Sequence, residues 1–121
     1  MNIDKKMTIR SRGKSFSYAI NGLLQLLRLE PNAKLHTVAT ILVIVAGILR
    51  HIGHWQWAAL CFAIGMVWIT EAMNTCIEKL CDHVCDNQFH PTIKIIKDVA
   101  AAAVLIAAMI SVAIGIIVFA F

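Results

Sequence analysis

Three long apolar runs set the strongest limit on how this chain can fold. They occupy residues 35–52, 55–70 and 99–121. A helix needs about 20 residues to cross the hydrocarbon core of a bilayer, with about 17–25 tolerated. The third run is long enough by itself, whereas the second reaches that length only if its helix continues past Glu71. The runs therefore predict a membrane protein built from helices.

The composition supports the same interpretation. Hydrophobic residues make up 60% of the 121 residues, against roughly 45–50% in a typical soluble domain, and the mean hydropathy is +0.76. A chain of this length is one domain by default. We expect an all-α integral membrane protein with three transmembrane helices, over residues 32–53, 55–85 and 92–121.

The segment before the first run predicts a fourth helix, over residues 10–30. Apolar residues recur there at helical spacing, at Phe16, Ile20, Leu23, Leu24 and Leu27. This pattern predicts an amphipathic helix that lies on the membrane surface. We expect it to stop near the Glu30–Pro31 pair, because a residue before proline is biased away from helix.

Basic residues are distributed unevenly between the two sides of the predicted membrane. Seven of the 11 Lys and Arg residues precede the first run, three lie between the second and third runs, and only Arg50 lies in the other connection. The positive-inside rule therefore places the N-terminus and residues 79–98 in the cytoplasm and the C-terminus outside. The net charge of +4 requires no nucleic-acid partner, because a basic collar beside anionic lipid explains it.

A polar stripe interrupts the extended second helix. Glu71, Asn74, Thr75 and Glu78 are three or four residues apart and fall on one helical face. One interpretation is a helix end that emerges into water. The other faces stay apolar, however, and ionisable residues inside a membrane usually mark function. Two carboxylates with an amide suit a hard divalent cation, and a carboxylate at a dry boundary suits a general base.

Further charged residues are expected at the same membrane depth. Glu30 lies just before the first run, and Lys97 and Asp98 lie at the start of the third helix. Acids and a lysine at one cytoplasmic rim are able to hold a metal–nucleotide complex. The chain contains neither a G-x-x-x-x-G-K loop nor a G-x-G-x-x-G loop, so a nucleotide site here would be unorthodox. Composition alone leaves kinase, transporter and channel open.

A second cluster has the spacing C-x-H-x-C, at Cys81, His83 and Cys85, and His90 follows it. Zinc accepts thiolate and imidazole ligands, but this spacing matches no common zinc finger. Cys81 and Cys85 share a helical face, while His83 points elsewhere. We favour the alternative, in which a helix end runs into a polar loop.

Three motifs along the chain match one known family. They are "SFSYAINGL" at 15–23, "EAMNTCIE" at 71–78 and "KDVAAAAVLI" at 97–106. They resemble the S-F-x-Y-A-x-x-G, E-x-x-N-T-x-I-E and K-D-x-A-A-x-A-V-L motifs of the prokaryotic diacylglycerol kinases, a family that includes undecaprenol kinases. The motifs occur in the family's order, and the resemblance covers roughly residues 10–121.

This resemblance implies a small lipid kinase of the bacterial inner membrane that uses ATP and Mg²⁺. It also implies a homotrimer, with active sites shared between subunits at the cytoplasmic interface. Carried over motif by motif, Glu71 is expected to be the general base, and Glu30 and Glu78 the magnesium ligands beside the nucleotide. The other residues expected at the nucleotide are Arg12, Tyr18, Asn74, Gln88, Phe89, His90, Lys97 and Asp98.

The resemblance leaves diacylglycerol and undecaprenol open as the lipid. The segments "EPNAKLH" at 30–36 and "HPTIKIIKD" at 90–98 are closer to the undecaprenol-type branch, which shows E-x-N-x-[RK]-x-H and an H-P pair before the third helix. Both lipids present a primary hydroxyl, so the chemistry does not separate them. The competing function is a non-enzymatic helix bundle, such as an ion or metal carrier that uses the acids of the inner rim.

Overall fold

Four helices account for almost all of the chain that the computed structural model describes, residues 9–121. They are α1 (Ile9–Leu29), α2 (Ala33–Leu49), α3 (His54–Val84) and α4 (Pro91–Ala120). No strand occurs within these residues, and the predicted all-α class is confirmed. Lys5 and Lys6, two of the seven basic residues that precede the first apolar run, lie outside the described residues.

Each connection between helices has a local cause. Pro31 follows the end of α1 and disfavours helical backbone at Glu30. α2 ends at Leu49, four residues before the expected end at 53, because the backbone turns over residues 50–53 with His51 at a φ of 51°. After α3, Asp86 and Asn87 adopt φ values of 51° and 60°, a region that Asp and Asn tolerate better than most residues.

α3 and α4 form the main packed unit, an antiparallel pair in contact along its length. Two hydrogen bonds between them have the same register. Gln56 of α3 donates to the carbonyl of Val118, and Ser111 of α4 donates to the carbonyl of Ala63. The small residues Ala63, Ala100 and Ala107 are buried. Small side chains let two helices approach closely, which is how helices associate in a membrane.

The lengths of the helices fit a membrane protein. α3 and α4 are each long and apolar enough to cross a bilayer, and the number of spans becomes three if the bent pair of α1 and α2 counts as one. α3 has 31 residues and is about 46 Å long at 1.5 Å per residue. It therefore extends beyond a hydrocarbon core of about 30 Å.

α1 and α2 meet at an angle of 109°. If α2 crosses the membrane, this angle lays α1 close to the membrane plane, as expected for a surface helix. α2 touches α3 at few points, so an apolar groove of about 320 Å³ stays open between α2, α3 and α4. We call it the apolar groove. It extends from His36 at one end to Gly115 on α4.

Candidate active site

A polar cavity of about 310 Å³ lies where the α1–α2 break meets α3 and α4. We call it the acidic cavity, because three carboxylates line it: Glu30 from the break, and Glu71 and Glu78 from α3. We call this end of the molecule the acidic end. The other polar side chains of its wall are Asn32, Asn74, Thr75 and Lys79. The helical period of the stripe thus places all four stripe residues at one cavity.

Backbone and side-chain contacts fix Glu30 beside α3. Its Oε1 accepts a hydrogen bond of 3.2 Å from the backbone N–H of Asn32, and its Oε2 accepts one of 3.2 Å from the hydroxyl of Thr75. Its own N–H still donates to the carbonyl of Leu26, at 3.0 Å. Glu30 is buried, and the turn at Pro31 brings it from the end of one helix to the side of another.

Glu71 is the most buried of the three carboxylates, with 4% of its surface exposed. Its Oε1 lies 2.8 Å from Nε2 of His36 on α2. A carboxylate that is to act as a base only accepts hydrogen bonds, and in that role its donor is Nε2 of His36. His36 was not among the expected site residues. The available signal was its place at the end of the segment "EPNAKLH", three residues into an apolar helix.

Asn74 links the stripe to Glu78. Its Nδ2 donates a hydrogen bond of 3.2 Å to Oε1 of Glu78. Its Oδ1 is buried and accepts no hydrogen bond within residues 9–121. Buried polar atoms are nearly always paired, and each exception calls for an explanation such as a ligand or ion. This oxygen belongs to a side chain that lines the acidic cavity.

The donors of the acidic cavity fit a magnesium ion. Mg²⁺ prefers oxygen ligands and is commonly held by one or two carboxylates, with water and substrate phosphates in the other positions. Glu30 and Glu78 supply two carboxylates from different parts of the chain, and Asn74 Oδ1 is a further open oxygen. Within residues 9–121 no cluster of three or more His, Cys, Asp or Glu side chains forms a site for a metal. A site here would rely on oxygen donors from the substrate.

A second cavity, of about 390 Å³, lies at the connection between α3 and α4. We call it the loop cavity. It brings together four expected nucleotide residues, Gln88, Phe89, His90 and Lys97. Lys97 forms an ion pair with Asp82 of α3, a partner that the sequence did not indicate. His90 also caps α4, since its Nδ1 accepts a hydrogen bond of 3.2 Å from the N–H of Thr92.

The remaining expected residues line neither cavity, although Asp98 contacts Lys94 at the loop cavity. Arg12 and Tyr18 are exposed on α1, and Asp98 forms an exposed ion pair of 2.6 Å with Lys94 on its own helix. The residues of the C-x-H-x-C cluster form no metal-binding group of three or more side chains within residues 9–121. Cys81 is buried and His83 is exposed.

Comparison with known proteins identifies the family. A profile described as prokaryotic diacylglycerol kinase matches residues 17–119. An undecaprenol kinase of Bacillus subtilis is 36% identical over 106 residues, which cover 88% of this chain and 85% of that protein. A diacylglycerol kinase of Synechocystis sp. is 36% identical over 101 residues, which cover 84% of this chain and 58% of that protein. No solved structure matches the chain significantly. The matched length shows that this chain belongs to the prokaryotic diacylglycerol kinase family of lipid kinases.

Proposed function

We propose that this protein transfers the γ-phosphoryl group of ATP to the primary hydroxyl of a membrane lipid, diacylglycerol or undecaprenol. The products are the lipid phosphate, ADP and a proton. The observation that carries the proposal is the acidic cavity, where three carboxylates and an unpaired amide oxygen lie at the end of an apolar groove. Such a cavity offers a base and metal ligands beside a surface suited to a lipid chain.

Glu71 is the proposed general base. It lies on the face of α3 that lines the acidic cavity, and its contact with His36 brings it next to the apolar groove. A lipid hydroxyl at the head of the groove is then close enough for its proton to pass to the Glu71 carboxylate as the oxygen attacks the γ-phosphorus. Positioned proton transfer of this kind contributes about 10²–10⁴-fold to a rate.

Glu30 and Glu78 are the proposed magnesium ligands. Thr75 and Asn32 orient the first carboxylate, and Asn74 orients the second. When bound, Mg²⁺ neutralises negative charge on the phosphates and on the group in transfer. Asn74 Oδ1 adds an oxygen that can face the ion or a water bound to it. The two carboxylates would hold the metal nearer the nucleotide, while Glu71 stays beside the lipid.

The loop cavity is the proposed place for part of the nucleotide. Gln88, Phe89 and His90 would contact ATP there. The Lys97 ammonium has three N–H donors, and Asp82 takes one of them, so two remain for phosphate oxygens. The exposed residues Arg12, Tyr18 and Asp98 are proposed to reach the same nucleotide from its solvent side or from another subunit.

The apolar groove supports a lipid substrate. Its lining is almost wholly apolar, except for His36, Thr40, Trp68 and Ser111. A lipid chain in this groove would bring its hydroxyl to the His36 end. We propose undecaprenol as the better substrate, because the segments at 30–36 and 90–98 are closer to that branch and a B. subtilis undecaprenol kinase matches over most of both chains.

We further propose a homotrimer with shared active sites. Large apolar side chains are exposed on all four helices, including Phe16, Val45, Phe62 and Leu105. Lipid can cover some of them, and neighbouring subunits would cover others. The protein is proposed to lie in the bacterial inner membrane. In this arrangement the acidic end and the N-terminus face the cytoplasm and the C-terminus faces outward, as the distribution of basic residues predicts.

Glu71→Gln is the decisive test. We expect turnover to fall about 10²-fold or more, because the amide cannot accept the proton, while the affinity for ATP changes little. The assay follows transfer of labelled phosphate from ATP to undecaprenol and to diacylglycerol, with magnesium, in detergent micelles. Asp86→Asn is the matched control, since it neutralises an exposed acid outside both cavities. Near-normal turnover of Glu71→Gln would remove Glu71 from its role. A chain that forms no lipid phosphate from either lipid would favour the carrier.

A further inference from the structure

We propose that His36 is a positioning residue, which holds the Glu71 carboxylate where the apolar groove meets the acidic cavity and keeps it away from the magnesium ligands. The inference rests on the proposed function, because it gives His36 a part in the reaction through Glu71. Its consequence is that one histidine separates the roles of three carboxylates that share one cavity.

The first support is the contact itself. Nε2 of His36 donates to Oε1 of Glu71 over 2.8 Å, and the two side chains are only 22% and 5% exposed. A contact with little access to water is stronger than one on the surface. It also links α2 to α3, two helices that otherwise touch at few points. Glu71 is therefore anchored by a side chain of α2, whereas the side chains that bind the other two carboxylates, Thr75 and Asn74, belong to α3.

The second support is that the imidazole ring is itself held in place. It packs edge-on against the ring of Trp68, with 6.2 Å between centroids. Trp68 Nε1 donates a hydrogen bond of 3.0 Å to the hydroxyl of Thr40, and that hydroxyl donates one of 2.7 Å to the carbonyl of His36. These contacts close a small network between α2 and α3, so the ring can transmit a fixed position to Glu71.

The third support is location. His36 lines the apolar groove and Glu71 lines the acidic cavity, so the bond between them lies at the junction of the two. The bond uses Oε1 only, and Oε2 of Glu71 has no hydrogen bond within residues 9–121. The second oxygen is thus left for the proton of the lipid hydroxyl, while the first keeps the carboxylate in place.

The separation from the metal follows from the same arrangement. Glu30 is oriented by Asn32 and Thr75, and Glu78 by Asn74, and all three partners line the acidic cavity. Glu71 is oriented by His36, which lines the groove instead. A divalent cation attracts every free carboxylate in its cavity. Without His36, Glu71 is free to turn toward the cation, and a carboxylate that binds a cation is a weaker base.

The first test measures steady-state kinetics of His36→Phe and His36→Gln. Phenylalanine keeps a ring but loses the donor, so we expect kcat to fall roughly 10-fold, with the KM values for ATP and lipid nearly unchanged. Glutamine keeps an N–H donor and should restore most of the lost kcat. Thr37→Val is the matched control, because it removes a neighbouring polar group that bonds only to its own helix. Its kcat should stay near that of the unmodified protein.

The second test measures metal binding without turnover. Mn²⁺ replaces Mg²⁺, a non-hydrolysable ATP analogue replaces ATP, and electron paramagnetic resonance reports the fraction of bound metal. We expect His36→Phe to bind Mn²⁺ several-fold more tightly, because Glu71 becomes available as a third carboxylate. The gain should disappear in His36→Phe/Glu71→Gln. A merely loosened site would weaken metal binding instead.

Separate outcomes apply to the inference and to the proposed function. If Glu71→Gln is inactive while His36→Phe keeps full kcat and unchanged Mn²⁺ affinity, the positioning role is wrong and the lipid kinase reaction stands. If Glu71→Gln itself keeps its turnover, the assignment of the base fails. Thermal unfolding in detergent identifies a His36→Phe protein that does not fold. In that case His36→Gln provides the test: a 10-fold loss of kcat in a folded His36→Gln protein would overturn the inference.

Discussion

The two ends of the helix bundle use their polar side chains in opposite ways. We call the end formed by residues 50–53 and the C-terminus of α4 the turn end. There Arg50 Nη2 donates a hydrogen bond of 3.1 Å to the carbonyl of Phe119, and Gln56 Nε2 donates one of 3.0 Å to the carbonyl of Val118. The last carbonyls of a helix have no partner within it. The polar side chains at this end therefore complete the backbone of α4.

At the turn end, α2 also packs closely against α3 at Gly47. A Cβ atom on Gly47 would lie 2.7 Å from the ring of Trp57, closer than carbon atoms normally approach. Gly53 is the N-cap of α3, and its N–H donates a hydrogen bond of 2.7 Å to Oε1 of Gln56. The polar contacts and the packing at Gly47 therefore both hold α2, α3 and α4 together at this end.

The acidic end leaves its polar groups incomplete. Three carboxylates share one cavity, and the buried Oδ1 of Asn74 has no hydrogen-bond partner within the described residues. Carboxylates close together repel each other, and an unpaired buried acceptor costs about 1–3 kcal/mol. Proteins accept such costs at sites that bind ligands. The polar side chains of the turn end thus stabilise the fold, whereas those of the acidic end leave groups that a bound ligand would complete.

Replacing the magnesium ligands should give the largest effect at the acidic end after loss of the base. We expect Glu30→Gln and Glu78→Gln each to raise the magnesium concentration needed for activity, by at least the roughly 10–100-fold seen when an outer partner of a metal site is lost. The measurement is a magnesium titration of lipid phosphorylation at fixed total ATP. Asp86→Asn again serves as the control. An unchanged magnesium requirement in both variants would contradict the paired-ligand model.

At the turn end, Gly47→Ala should lower stability without changing the magnesium requirement. The added methyl group must displace the Trp57 ring or the α2 backbone, and overpacking of this kind costs about 1–3 kcal/mol. We expect lower thermal stability in detergent but a nearly normal magnesium requirement at low temperature. Gly65→Ala is the matched control, because a Cβ there meets no atom within 4 Å. Equal losses of stability in both variants would show that the contact with Trp57 is unimportant.

The sequence predicted those features that depend on local pattern. Helical spacing was enough to place Glu71, Asn74, Thr75 and Glu78 on one face, and Pro31 was enough to separate α1 from α2. Both follow from backbone geometry over a few residues. The four-residue difference at the end of α2 arose because the apolar run continues into a turn. Hydropathy alone does not distinguish a final helical turn from a packed loop.

The sequence could not predict contacts between distant helices. His36 and Glu71 are 35 positions apart, and their contact depends on how α2 lies against α3. The ion pair of Lys97 with Asp82 depends likewise on the register of α3 against α4. The family motif assigned Lys97 to the nucleotide, but no motif included Asp82, its ion-pair partner. Contacts of this kind depend on how the helices pack against each other, and the periodicity of one helix carries no information about that packing.

The smallest predicted effect concerns the C-x-H-x-C cluster. It lies near the acidic end, but its hydrogen bonds complete the backbone of a helix, as those of the turn end do. The Cys85 N–H donates a hydrogen bond of 3.1 Å to the carbonyl of Cys81, and the Asn87 N–H donates one of 3.0 Å to that of Asp82. These bonds close the end of α3. The buried Cys81 then acts as a small apolar residue, and we expect Cys81→Ser/Cys85→Ser to keep most of its activity and to lose only about 1 kcal/mol of stability.

Metal analysis by mass spectrometry should find the same low zinc content in this variant, in Cys76→Ser and in the unmodified protein. Stoichiometric zinc that disappears only from the double variant would mean that the acidic end holds a second, thiolate-bound metal.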